Sequence, residues 1–177
     1  MPEISVLHIP QKDDKDYPFW VGTLEGAPPF ALSNRLRRHT FYMAIWVISG
    51  EGYHVIDFEK VKIQPRKLIF VRPGQVQQWL IDQPVSGYYC AFDHEIFHVF
   101  GAHLFFKELG FLAPFAAPAV CIADDCAQAE IIQSFFEKIY SAFYSTDWAH
   151  GIEVLMWLQL LCVYAQREFE KGKPVQK

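Results

Sequence analysis

Two histidines four residues apart, with a glutamate after the first, are the strongest chemical signal in this chain. The stretch HEIFHVFGAH, residues 94–103, sets His94, Glu95 and His98 in HExxH order. On an α-helix that spacing turns two imidazoles toward one metal ion and leaves a carboxylate beside the metal-bound water, the chemistry of a zinc hydrolase. The longer form of the motif needs a third histidine at 104, where Leu104 stands and His103 falls one place early. Asp93 is positioned to cap a helix starting at His94, with Ile96, Phe97 and Phe100 on its apolar side and His94 and His98 on one wet flank. Gly101 ends the segment after two turns, and no third ligand other than His103 offers itself. The spacing therefore reads as a coincidence of composition, and a zinc hydrolase is kept only as a distant alternative.

The whole chain narrows the classes further. With 177 residues, 51% of them hydrophobic, it can bury one substantial core, and the simplest organisation is a single domain over 1–177. A net charge of −4, with no basic cluster longer than RLRRH, leaves no face for gripping phosphates, so the chain by itself is not expected to bind DNA. Cys90, Cys121, Cys126 and Cys162 form no CxxC pair, and the opening MPEISVLHIPQKDDKD lacks the layout of a signal peptide. A cytoplasmic location with free thiols follows as the expectation. The run IEVLMWLQLLCVYA is broken by Glu153 and Gln159 and is too short to cross a bilayer, so no membrane partner is expected.

The apolar periodicity changes character near residue 92. From about 19 to 92, short apolar runs are cut by turn residues: TFYMAIWVI, SGEG, YHVIDF, then VQQWLI, DQPVSG and YYCAF. Short strands at this spacing point to a β-sandwich or small barrel, and SGEG reads as a hairpin turn. From about 93 to 172 the period is helical. Ile131, Phe135, Ile139 and Phe143 stand four apart, and a second helix carries Leu155, Leu158, Cys162, Ala165 and Phe169 on one stripe. Thr146 or Asp147 is placed to cap that helix, and Gly172 with Pro174 to end it. A second stripe, Val154, Trp157, Leu161 and Tyr164, lies beside the first. One stripe can pack on the sheet and first helix; the other then needs a partner, and a homodimer seam is preferred over a wholly internal core.

The wording RHTFYMAIWVISGEGYHVIDF, followed by PRKLIFVRPGQVQQW and a helix pair, resembles the N-terminal effector-binding and dimerisation domain of AraC-type transcription regulators. The resemblance covers about 30–170 and implies a mainly β fold with α: a cupin-like jelly-roll β-barrel followed by an antiparallel two-helix dimerisation element. It also implies an arm closing over the ligand, for which DYPFW, with Phe19 and Trp20, is the candidate; the same residues read equally well as an edge strand. Metal-binding cupins place an HxH, a Glu and a later His inside the barrel. Here the corresponding positions are Arg37, His39, Met43 and Gln77, so a single ligand type survives beside an arginine. A metal-dependent cupin isomerase or dioxygenase is thus the alternative, and no metal or other cofactor is called for.

If those positions face inward, strand alternation sends Arg35, Arg37, His39, Phe41 and Met43 into the barrel, with Gln77 and Trp79 after the PGQV turn and Tyr89 on the last strand. An apolar wall with a few converging polar groups is the usual make-up of a small-molecule pocket. Arg37 would hold a carboxylate or hydroxyls, Trp79 would stack on a flat face, and His39 and Gln77 would orient the ligand. The opposing expectation is a barrel plugged by its own side chains. The resulting expectation is no enzyme but an effector-sensing domain that homodimerises through its C-terminal helices and reaches DNA only through a helix-turn-helix domain absent from this chain, EKGKPVQK being read as the start of a linker. Charged residues at Leu158 and Phe169 should then give monomers by light scattering.

Overall fold

The computed structural model describes residues 4–9, 18–28, 31–101, 103–114, 116–121 and 126–172. Within them the strands are β1 (Ser5–Leu7), β2 (Phe19–Thr23), β3 (Arg37–His39), β4 (Tyr42–Ile56), β5 (Glu59–Ile63), β6 (Lys67–Val71), β7 (Val76–Phe92) and β8 (Ala119–Cys121). The α-helices are α1 (His103–Lys107), α2 (Cys126–Tyr144) and α3 (His150–Lys171), with 3₁₀ turns over His94–Gly101 and Gly110–Leu112.

β4 and β7 carry the architecture. SGEG is not a hairpin turn: its glycines do take positive φ, 119° at Gly50 and 141° at Gly52, but as bulges within the continuous 15-residue β4. β7 likewise runs unbroken through DQPVSG, and the two strands pair antiparallel from Tyr42↔Phe92 to Ile56↔Gln77. The tight turns fall elsewhere, at Asp57–Phe58, where both residues have positive φ, and at Arg66 and Gly74. One half-sheet runs β2, the end of β7, the start of β4, β6 and β8; the other runs β1, β3, the start of β7, the end of β4 and β5. The fold is mostly mixed sheet with helices, and its hydrogen-bonded path ends at β1 and β8 rather than closing into the expected barrel.

Alternation along β4 divides two cores. Met43, Ile45 and Val47 face the interior between the half-sheets, with Ile69, Val71 and Trp79, whereas Ala44 and Trp46 face the helices, with Phe70, Cys90 and Phe92. After the bulges the inward parity changes from odd to even, which buries His54 and Ile56 in the same interior. No helix of the described residues is long and apolar enough to cross a membrane.

The two helices of the expected pair are present, but the proposed seam is not a surface. Leu155, Leu158, Cys162 and Ala165 are buried within this chain, in one core with Ile132, Phe136 and Ile139 of α2 and the outer face of the sheet. Phe169 is half-buried over the second 3₁₀ turn, where a Cβ on Gly110 would meet its ring at 3.0 Å. From the other stripe, Val154 and Leu161 are also buried, and Trp157 and Tyr164 both pack against Phe135. The stripe turned outward is Ile152, Met156 (60% exposed) and Leu160, following Trp148 (96% exposed) at steps of four. The helix pair had more apolar surface than two stripes, and α2 together with the outer face of the sheet takes both of those. The start of α3 is also not capped as expected: Ala149, at φ 63°, holds the cap position without a side-chain bond, while Asp147 accepts from the Ser145 hydroxyl. Pro174 and the tail from 173 lie outside the described residues.

Leu158→Ala should therefore cost about 2–5 kcal/mol in urea unfolding, whereas Met156→Ala should change stability by no more than about 0.5 kcal/mol. Equal, small effects would show that Leu158 is not a core residue.

Candidate functional site

The interior between the half-sheets is not filled. It holds a cavity of about 420 Å³, within the range of ligand pockets. His39, Met43, Gln77, Trp79 and Tyr89, all expected inward, stand on its wall. Arg35 and Arg37 do not. Arg35 is exposed ahead of β3, and the Arg37 guanidinium turns to hydroxyls, Nε donating to Ser33 Oγ at 3.3 Å and Nη1 to Ser5 Oγ at 3.4 Å. Alternation alone sent Arg37 inward with His39. An apolar chamber with no carboxylate on its wall gives a guanidinium nothing in exchange for its hydration, so the side chain bends to the edge.

A chain of three polar side chains crosses the buried end of the chamber. Gln77 Oε1 accepts from His54 Nε2 at 2.6 Å, and Gln77 Nε2 donates to His39 Nε2 at 2.5 Å. His54 is 0% exposed and stacks on its cross-strand partner Trp79 with centroids 4.0 Å apart; His39, 3% exposed, stacks on Phe41 at 4.6 Å. Burial pushes the His54 imidazole down to about 3, against the opposing bond from Gln77, and burial with the nearby Arg37 charge pushes His39 down to about 4. Both rings are thus neutral at pH 7. An amide oxygen only accepts and an amide nitrogen only donates, so one Gln77 orientation sets both tautomers: His54 carries its proton on Nε2 and His39 on Nδ1. The reverse orientation would leave a buried His54 Nδ1–H without an acceptor, a worse outcome than the bare, unpartnered Nδ1 the structure has.

Sequence alternation missed His54, because the bulges that change parity lie inside what reads as a turn. It also missed the opposite wall. Trp20 of β2, which pairs with β7 as a strand, lines the cavity and hydrogen-bonds Tyr89. The Tyr89 ring lies over Gly22, where a Cβ would meet its hydroxyl at 2.8 Å. Leu24 and Ala31, from the segment after β2, complete that side. Asp16 and Tyr17, the first part of the expected arm, lie outside the described residues. The pairing Gly22↔Tyr89 was the signal available for β2, legible only once the β7 register is known.

His94 and His98 stand apart from this site. Their segment is 3₁₀, with three residues per turn, rather than the α-helix that aligns positions four apart. Asp93 does cap it, Oδ1 accepting from Glu95 N–H at 3.1 Å, and also contacts His94 Nδ1 at 2.7 Å. The two imidazole centroids are 5.6 Å apart and edge to face, and among the described residues no three His, Cys, Asp or Glu side chains are grouped to hold a metal ion. Ile96 and Phe97 are buried as expected.

No family model matches the chain, and no curated protein matches it. Solved structures similar to it include the AraC-like transcriptional activator CuxR, at 9% identity and TM-score 0.49, over 78% of this chain and 45% of that one. Apo ToxT K231A from Vibrio cholerae strain SCE256 matches at 8% identity and TM-score 0.49, over 88% and 58%. The EutQ protein of Clostridium difficile matches at 21% identity and TM-score 0.30, over 34% and 50%. The chain spans about half the length of these proteins.

Because the folded His39 and His54 have depressed pKa values, the unfolded chain takes up more protons as pH falls below about 6.5, and folding stability is lost in that direction. The two imidazoles together should steepen the fall by up to about 2.7 kcal/mol per pH unit between roughly pH 6 and 4, at about 1.4 each. Urea unfolding of His54→Phe should show a shallower fall than wild type; an identical slope would remove the buried imidazole from the account.

Proposed function

We propose that this chain is a cytoplasmic small-molecule sensor domain of the AraC-type regulator kind, with a cupin-like jelly roll that takes up an effector and a helical layer that pairs with a second copy. The observation that carries the reading is the cavity: about 420 Å³ between the half-sheets, with an amide bonded to two imidazoles at its buried end and aromatic walls. It supports binding rather than catalysis, because the polar groups at the wall are neutral and bonded to one another instead of poised beside a reacting atom. A DNA-binding domain outside these residues would supply the contact to the operator, since the chain carries a net charge of −4.

Dimerisation is assigned to the outward stripe of α3, Ile152, Met156 and Leu160, in place of the buried residues first considered. Three apolar side chains in line on a helix already supported from behind form the kind of surface that a two-fold partner covers with the same stripe.

Two measurements test this reading. A thermal-shift screen of small organic compounds should yield at least one that stabilises the wild type, by about 2.7 kcal/mol at a hundredfold excess over Kd, and has no effect on Ala31→Trp, which fills the chamber. Stabilisation that survives in the filled variant would remove the cavity from the reading. Met156→Glu combined with Leu160→Glu should halve the mass in light scattering without lowering Tm; a mass unchanged from wild type would remove the seam.

A further inference from the structure

Resting on the sensor reading of the cavity, we infer that its ligand is an uncharged, flat, largely apolar molecule that presents a carbonyl-type hydrogen-bond acceptor to His39. Charge is the first argument. Among the described residues no Lys, Arg, Asp or Glu lines the cavity; Arg38, next to His39 in sequence, is exposed, and Arg37, whose charge reaches His39, is bonded to Ser33 and Ser5 outside the wall. His8 lies at the margin, exposed and bonded through Nδ1 to the Thr40 hydroxyl at 3.2 Å. A carboxylate entering this chamber would give up its hydration without meeting a counter-charge on its wall, the Arg37 guanidinium being already bonded to two hydroxyls.

The second argument is the supply of polar partners. A sugar brings several hydroxyls, each needing a bond once buried. The wall's polar groups are largely committed to one another: the Gln77 amide joins the two imidazoles, and the Tyr89 hydroxyl takes the Trp20 bond. What the network leaves at the wall are hydrogens rather than lone pairs. With Gln77 donating to His39 Nε2, His39 keeps its proton on Nδ1, for which the same amide nitrogen, 3.4 Å away, has no lone pair, and a Tyr89 hydroxyl that accepts from Trp20 still has its own proton to give. A ring ketone, quinone or lactone answers donors of this kind without bringing charge.

Shape is the third. Trp20, Phe41, Trp79 and Tyr89 put four aromatic rings on one chamber, with Met43 and Ile45 of β4 beside them, and two of those rings are held in place by stacked imidazoles. Rigid aromatic walls select a flat body that offers its own face or edge.

Three probes of one size class separate the possibilities at pH 7.5: 2-acetylnaphthalene, 2-naphthoate and methyl glucopyranoside, each titrated by calorimetry into the whole chain. The neutral ketone should bind at least tenfold tighter than the carboxylate, and the glucoside should give no heat. His39→Leu should weaken the ketone five- to tenfold. Ala31→Arg, a change at a half-buried wall position, should strengthen naphthoate at least tenfold by supplying the missing cation. Naphthoate or the glucoside binding as tightly as the ketone in the wild type would overturn the ligand class and leave the sensor reading standing. Failure of all three probes, in the wild type and in Ala31→Arg, would overturn both.

Discussion

The paired bend of β4 and β7 is the constraint on which the rest of this structure depends. Two strands of 15 and 17 residues run side by side through both half-sheets, and they can do so only if both fold over at the same place. Glycine makes the bend possible. A Cβ on Gly52 would strike the Leu80 carbonyl oxygen, one on Gly87 the Trp46 carbonyl oxygen, and one on Gly50 the Val85 backbone at 2.7 Å. All three residues also have φ between 119° and 146°, where a side chain is strained whatever the space around it. The bend creates the interior, sets its two walls facing, and shifts the parity of β4 so that His54 is buried stacked on Trp79, which lines the chamber.

The buried polar chain follows from that geometry. Taking two imidazoles out of water favours their neutral forms, and a neutral imidazole in an apolar interior needs a donor or an acceptor of matching sign. A single amide meets both needs because its two ends differ. Gln77 therefore does more than satisfy its own hydrogen bonds: it holds two rings in fixed tautomers and fixed orientation, and these rings in turn brace Trp79 and Phe41. A histidine or glutamate at 77 would make the same place a set of metal donors. The amide makes it a rigid, uncharged wall.

Much of this was legible in the residues, and the failures have physical causes. Alternation placed Met43, Gln77, Trp79 and Tyr89 correctly at the chamber because each lies on a strand segment that no bulge interrupts between it and its neighbours. It failed for Arg37, where desolvation of a guanidinium outweighed strand parity, and for His54, where two glycines read as a turn while acting as bulges. Helical period found α2 and α3, but apolar stripes do not say which neighbour covers them. The first helix of the pair, α2, with the sheet's outer face behind it, covers the stripe assigned to a partner and leaves Met156 outward instead.

The account turns on the chamber's buried end being neutral and polarised in one sense, which the imidazole nitrogens report directly. Long-range proton–nitrogen correlation spectra of the nitrogen-15-labelled chain at pH 7 should show two neutral rings, His54 protonated on Nε2 and His39 on Nδ1, with both patterns lost together in Gln77→Leu. An imidazolium at either residue, or tautomers of the opposite sense, would contradict it.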